Sequence, residues 1–404
     1  MNIAKRLKIV LPLLATMLAV ASCSLLEQPL FGKRRVAKPE PAPVVQALPD
    51  PVTTHHFELS DADTDVVGYV QVIKASKEDT LTDIARRFNV GFEDLARANP
   101  KVDPWLPGEG REIVIPSQYV LPDAPREGII INAAAMRLYY FPKAQSGKPQ
   151  EVYTYPIGIG RVGWKTPEGV TRIVRRKKDP TWTVPSSVRK EHAENGDPLP
   201  AVVGAGPDNP LGRHALYLGW PSYLVHGTNK PAGVGLRSSH GCVRLYPEDI
   251  AQLFDMAPDG TKVRVVNQPF LFGWHDNQLY LQAYDILEDD PRDWSNAERK
   301  LLSKSLAKRI QKQLKARNEE VDWDEVSALA HEPRGIPVAI SQTGSDVDKV
   351  IAGAIRVANR LPKGANWDGQ SDAPMDEKAF KEMFADTEEA SDQTAAPAAG
   401  GATH

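Results

Sequence analysis

The sequence predicts a mainly β protein: a central β-sandwich domain, a small β-α-α-β module before it, and a partly helical, partly disordered extension after it. Three observations carry this. Between Gly128 and Asn267, short β-forming segments recur with Gly and Pro between them, the punctuation of a sandwich or barrel. Between Gly68 and Pro116, an alternating segment, two stretches of helical periodicity and a closing β segment follow one another. Outside these limits the composition shifts, to Pro-rich before and to acidic and Ala/Gly-rich after. A chain of 404 residues has room for several domains. With 41% hydrophobic and 25% charged residues and a net charge of −3, it has no basic surplus that would suit a nucleic acid.

In order, the chain opens with Lys5, Arg6 and Lys8 ahead of an apolar run from Ile9 to Val20, which closes on Val20-Ala21-Ser22-Cys23. A positive segment, a short apolar core and small residues before a cut describe an export signal over residues 1–22. The run is too short for a comfortable membrane span. Val-Ala-Ser-Cys resembles the lipobox of bacterial lipoproteins, which implies cleavage before Cys23 and a lipid anchor on it. Ser24, where Asp would retain the protein at the inner membrane, implies by the same resemblance an outer-membrane anchor in a Gram-negative periplasm. A plain export signal with an incidental Cys is the other reading. Residues 23–66, with Pro39, Pro41, Pro43, Pro49 and Pro51, read as an extended tether of about 3 Å per residue.

The module over residues 67–117 begins with the alternating strand Tyr69-Val70-Gln71-Val72-Ile73. Thr80 opens a helix with Leu81, Ile84, Ala85 and Phe88 on one face. Phe92, Leu95 and Ala96 mark a second short helix ending at Asn99-Pro100, and Glu112-Ile113-Val114-Ile115-Pro116 closes the unit. With Asp79-Thr80-Leu81, Ile84-Ala85-Arg86-Arg87-Phe88, Asn99-Pro100 and Leu106-Pro107-Gly108, it resembles the LysM module. That implies binding to glycan strands of the cell wall; a small domain that only positions its neighbour is the plainer alternative. It departs from the family at Ser76-Lys77-Glu78, where a Pro-Gly turn is usual.

The domain over residues 126–267 starts with a hairpin, Ile129–Asn132 and Arg137–Phe141, around Ala133-Ala134. Val152–Gly160 and Thr171–Arg176 continue the β pattern. Pro185 to Pro210 shows little periodicity, and so long a loop in a compact domain reads as a functional lid. Pro247 to Met256 is a helix turning Ile250, Leu253 and Phe254 inward. In the extension over residues 268–364, Trp274 to Ile286 suggests a hairpin. Ser295 with Glu298 forms a capping box for a helix carrying Leu302, Leu306, Ile310 and Leu314, with a densely basic, solvated outer face. A further helical pattern runs from Ser345 to Arg360, and residues 365–404 read as an acidic disordered tail.

The chemistry concentrates in Ser238-Ser239-His240-Gly241-Cys242-Val243-Arg244 and in Val225-His226-Gly227-Thr228 upstream of it. The chain has two cysteines, so with Cys23 lipidated Cys242 has no partner within the chain. A solitary thiol in an oxidising compartment fits catalysis, with an imidazole to take its proton. These two elements resemble the signature of the YkuD-type L,D-transpeptidases, as do Pro156–Gly160, Lys165-Thr166-Pro167, Pro198–Val203 and Gly206–Pro210.

The resemblance implies a β-sandwich enzyme with Cys242 as nucleophile, His226 as general base and the Gly227 carbonyl in place of an acidic third member. It implies His240 beside the thiol and an oxyanion hole from the backbone around Gly241 and Cys242. Arg244 suits a substrate carboxylate, with a structural ion pair as its alternative, and Ser239 and Thr228 are further substrate contacts. The implied reaction is attack on the meso-diaminopimelate–D-Ala bond of a tetrapeptide stem of peptidoglycan, giving a thioester and free D-Ala. The acceptor is the terminal Lys of a small outer-membrane lipoprotein by preference, a second diaminopimelate for 3-3 cross-links, or water. No cofactor or metal is called for, although His226, His240 and Cys242 could in principle ligate zinc. A catalytically silent wall-binding scaffold is the other alternative.

Overall fold

The computed structural model describes residues 48–294 apart from Thr54, Ala62 and Asp63, residues 304–370, and residues 377, 378 and 380. The expected signal, Cys23, most of the tether, the Ser295 capping box and nearly all of the acidic tail lie outside the described residues.

The central domain is built on a nine-stranded mixed sheet. Across it the strands run His56–Leu59, Gln150–Pro156, Arg137–Phe141, Gly128–Asn132, Lys262–Val266, Gly169–Lys178, His214–Leu218, Leu224–His226 and Val243–Arg244. Gly169–Lys178 serves both halves. Its first residues pair with Lys262–Val266, and from Ile173 onward it pairs with His214–Leu218. The register slips between Ile173 and Arg175, and such an irregularity bends a strand. The two halves accordingly share one core. Ile129, Ile131 and Leu138 meet Leu216, Val225 and Val243, closed by Ile250 and Leu253 of the helix Pro247–Met256. This is the expected sandwich.

The hairpin Gly128–Asn132/Arg137–Phe141 pairs in register across the turn at residues 133–136. Pro247 pre-sets the first turn of its helix, and the Glu248 carboxylate favours the positive end of the helix dipole.

The small module pairs Gln71–Lys74 with Glu112–Ile115 and packs the helices Leu81–Arg87 and Phe92–Ala98 on them. Thr80 and Asp83 form a reciprocal capping box, which is why the first helix starts there. Ile73, Leu81, Ile84, Phe88, Leu95, Ile113 and Ile115 form its core. Asn99 ends the second helix by bonding the Leu95 carbonyl and both backbone groups of Val114, a bridge that a hydrophobic residue could not make. The module docks on the central domain through Arg86 to Glu248 at 3.0 Å, Asn89 to Asp249 at 2.8 Å and the Tyr246 hydroxyl to the Val90 carbonyl at 3.1 Å.

Four stretches differ from expectation. The tether does not run to residue 66: His56–Leu59 is the edge strand on Gln150–Pro156, with Leu59 buried among Tyr139, Phe141 and Val152. Its short alternation is overshadowed by the prolines before it. The lid contains a helix, Ser186–Glu194, and its two ends are joined by pairing of Trp182–Thr183 with Val202–Val203. The helical pattern after Ser345 forms a helix only over Val347–Ala352, capped at Gly353. Ile355–Arg356 then adds as a parallel strand to Gln71–Lys74, because the small module's sheet leaves that edge open. The start of the tail is packed rather than free: the Arg86 guanidinium lies 4.3 Å from the Trp367 ring centroid, and Arg87 donates to the Gly369 carbonyl. Phe380 lies against Trp105 and Phe92.

In the extension, Phe270–His275 and Gln278–Ala283 form the expected hairpin, starting upstream of Trp274. Ile310 and Leu314 of the helix Lys304–Arg317 turn into the core beneath it, while Lys308, Lys312 and Lys315 are exposed.

Candidate active site

Two short parallel strands, Leu224–His226 and Val243–Arg244, bring the two halves of the motif together. Val225 aligns with Val243 and His226 with Arg244, so Cys242, just before the second strand, falls level with Leu224, two residues from His226 along the neighbouring strand. Cys242 and His226 both line a cavity of about 300 Å³, together with Arg161, Thr228, Ser239, His240, Arg244 and residues of the lid.

His226 is buried, and its Nδ1 lies 2.6 Å from the Gly227 carbonyl oxygen. A carbonyl only accepts, so Nδ1 carries the proton and Nε2 is left basic. Burial, and then the Arg244 charge, lower the imidazole pKa to about 3 against smaller opposing contacts from the Gly227 and Leu211 backbone. The ring is therefore neutral near pH 7. The Cys242 thiol is half-buried and donates to the Ser222 carbonyl at 3.5 Å. Burial pushes its pKa up, opposed by the Leu224 backbone and by Arg244. The resting pair is thus neutral thiol and neutral imidazole, with no standing thiolate.

Gly241 has φ +96, a conformation that disfavours side chains, and a Cβ there would sit 2.8 Å from the Tyr223 ring and 3.3 Å from the Trp164 carbonyl oxygen. Thr166 fixes this turn from outside. Its hydroxyl donates to the Gly241 carbonyl at 3.0 Å and accepts from the Gly160 N–H at 3.1 Å. Ser239 donates to the Cys242 carbonyl at 2.5 Å. Thr228 closes its own loop, accepting from the Lys230 N–H at 2.9 Å and donating to the Lys230 carbonyl at 3.2 Å. Ser239 and Thr228, expected as substrate contacts, line the cavity but spend their hydroxyls on holding the loops.

Arg244 reaches Ser238 Oγ at 3.2 Å, and its Nε is buried with no partner. Among the described residues no carboxylate pairs with it, so the structural ion pair kept open above has no acid there. Its charge therefore stands in the cavity wall without a carboxylate partner among the described residues. His240 was expected beside the thiol. It lines the cavity with Cys242, and its Nε2 meets Glu191 Oε2 at 3.0 Å and Arg161 at 3.3 Å, with Trp164 edge-on at 4.8 Å. Burial, and then Arg161, Arg244 and His192, lower its pKa to about 3, so the ring is neutral near pH 7. Among the described residues no three His, Cys, Asp or Glu side chains converge as a metal-binding group.

Sequence reasoning singled out neither Glu191 nor Arg161, and gave no role to Thr166 or to Ser222, whose φ of +69 bends the chain under the thiol. Thr166 had a signal, since it belongs to the Lys165-Thr166-Pro167 run. Glu191 had none.

Residues 126–265 match the family model of the YkuD L,D-transpeptidase catalytic domain, and residues 73–116 match that of the LysM domain. A probable L,D-transpeptidase of Salmonella typhimurium, ErfK/SrfK, is 37% identical over 289 residues, 70% of this chain and 91% of that protein. The probable L,D-transpeptidase YbiS of Escherichia coli is 44% identical over 226 residues, 55% of this chain and 72% of that protein. YcfS of the same organism, also a probable L,D-transpeptidase, is 41% identical over 261 residues, 62% and 80% of the two chains.

Proposed function

Since the chain belongs to the L,D-transpeptidases and carries a LysM domain, we propose that it works through a thioester on Cys242, with His226 as its proton carrier. His226 Nε2 takes the thiol proton as sulfur attacks the carbonyl between meso-diaminopimelate and D-Ala of a tetrapeptide stem. The oxyanion faces the backbone N–H groups of Gly241 and Cys242. As the intermediate collapses, His226 returns the proton to the departing amine and D-Ala leaves. An acceptor amine then attacks the thioester, His226 takes its proton, and the new amide forms with the thiol restored. Arg244 receives a stem carboxylate, the counter-charge that the chain itself does not supply. Thr166 and Ser239 hold the turn that carries the oxyanion donors.

The observation that carries this reading is the 2.6 Å contact of His226 Nδ1 with the Gly227 carbonyl. It leaves Nε2 as the basic nitrogen in the cavity that Cys242 also lines.

For the acceptor, the terminal Lys of a small outer-membrane lipoprotein is the reading we favour over a second diaminopimelate. It is supported by the export signal ending in Val20-Ala21-Ser22-Cys23, by Ser24, and by the LysM domain joined to the Pro198–Val203 lid sequence. The protein then sits in the periplasm, anchored by lipid on Cys23, with its LysM domain on glycan strands. Mass spectrometry of the cell wall from a deletion strain tests the acceptor. Loss of protein-bound muropeptides is the expected result. Loss of 3-3 cross-links alone makes diaminopimelate the acceptor, and no change in either overturns the reading.

A further inference from the structure

The lid helix Ser186–Glu194 has little apolar hold on the domain. Of its nine residues only Val188 is buried, while Arg189, Lys190, Ala193 and Glu194 are exposed. Yet the segment it belongs to forms one wall of the cavity over Cys242, through Trp182, His192, Leu199 and Val203. A helix so lightly buried needs another attachment to stay there. Glu191 provides one. One carboxylate oxygen meets His240 Nε2 at 3.0 Å and the other pairs with Arg161. Both partners belong to the rigid side of the site. The Arg161 side chain is only 3% exposed and follows Gly160, which Thr166 ties to Gly241; His240 directly precedes Gly241 and Cys242.

We propose that Glu191 is a positioning residue that latches the lid over Cys242, through His240 and Arg161. Its carboxylate meets His240 and Arg161, and it is not among the residues lining the cavity with Cys242. It sets how often the cavity over the thiol is closed, and through His240 it steadies the turn that carries the oxyanion donors. The geometry fits this role, because Glu191, Arg161 and His240 Nε2 form a closed triangle in which the guanidinium supplies the counter-charge to the carboxylate and also lies 3.3 Å from the ring nitrogen. A charge-assisted contact of this kind is strong enough to hold a short helix, yet it can be exchanged when a charged substrate enters.

The proposal deepens the acyl-transfer reading and rests on Cys242 as nucleophile, so its test includes a readout that needs no turnover. The full chain is alkylated with iodoacetamide at fixed pH, and the modified cysteine is located by peptide mass spectrometry. In parallel, KM and kcat are measured for D-Ala release from a tetrapeptide stem. Glu191→Ala should speed alkylation of Cys242 by about tenfold, the effect of losing roughly one charge-assisted contact, and raise KM by a similar factor with a smaller fall in kcat. Glu191→Gln, whose single amide oxygen can still accept one neutral bond from Arg161, should lie between. Glu194→Gln, the same change at an exposed site on the same helix, should match the parent. Parental alkylation and KM in Glu191→Ala, with turnover still dependent on Cys242, overturn the latch alone. Turnover that persists without Cys242 overturns the acyl-transfer reading beneath it.

Discussion

Replacing Arg244 with Met should make the protein more stable and less active, and this opposition of signs is what marks a side chain kept for a ligand. The guanidinium stands in the cavity wall with Nε buried and unpartnered, held by one 3.2 Å bond to Ser238 and paired with no carboxylate among the described residues. Met has a similar length and no charge to desolvate. Relief of an unpaired polar group is worth about 1–3 kcal/mol, from which loss of the Ser238 bond subtracts about 1 kcal/mol. For a domain of this size each kcal/mol moves Tm by about 2–4 °C, so Tm should rise by up to about 8 °C. Loss of a charge-assisted contact to a stem carboxylate costs about 1.5–3 kcal/mol, which is about a 10- to 150-fold fall in kcat/KM. Differential scanning fluorimetry and D-Ala release from a tetrapeptide muropeptide read the two quantities on one preparation. A fall in Tm together with activity would refute the reasoning, because it would mean that Arg244 is held by contacts in the chain and serves structure.

Thr166→Val removes the hydroxyl bridging the Gly160 N–H and the Gly241 carbonyl. D-Ala release should fall by about ten- to a hundredfold with circular dichroism unchanged, since misplaced oxyanion donors cost up to a few kcal/mol of barrier. His226 and His240 have folded-state pKa values of about 3 against an ordinary 6.5, so between those limits the unfolded chain binds more protons than the folded one. Their contribution to stability is intact above about pH 6.5 and lost as pH falls toward 3. Tm should drop through that window, and His226→Asn should flatten the slope; an equal slope in the variant contradicts the assignment. For the same reason kcat/KM should show no acid limb near pH 6.5, where an exposed catalytic histidine would give one.

What could be read from the sequence was local. Thr80 and Asp83 announce their helix because a capping box spans four consecutive residues, and the hairpin at residues 133–136 joins neighbouring strands. Cys242 and His226 lie far apart in sequence as bonds go, yet their flanking glycines and short β segments were enough to single them out. What stayed hidden depends on pairings that no local period encodes. Gly169–Lys178 reads as one strand, and nothing in its alternation says that it changes partners at the irregularity near Ile173. His56–Leu59 and Ile355–Arg356 are too short to announce themselves and form because an open sheet edge accepts them. Glu191 belongs to an almost wholly exposed helix with no apolar stripe, so neither its helix nor its meeting with His240 across 49 positions was legible.

The central claim is a covalent bond to one sulfur. Purified full-length chain incubated with a tetrapeptide muropeptide, without an acceptor amine, should release D-Ala. It should also carry the remaining stem as a thioester on the peptide containing Cys242, with Cys242→Ala showing neither product while its retention on isolated sacculi is unchanged. D-Ala release by Cys242→Ala, or an adduct on any other residue, would contradict the account.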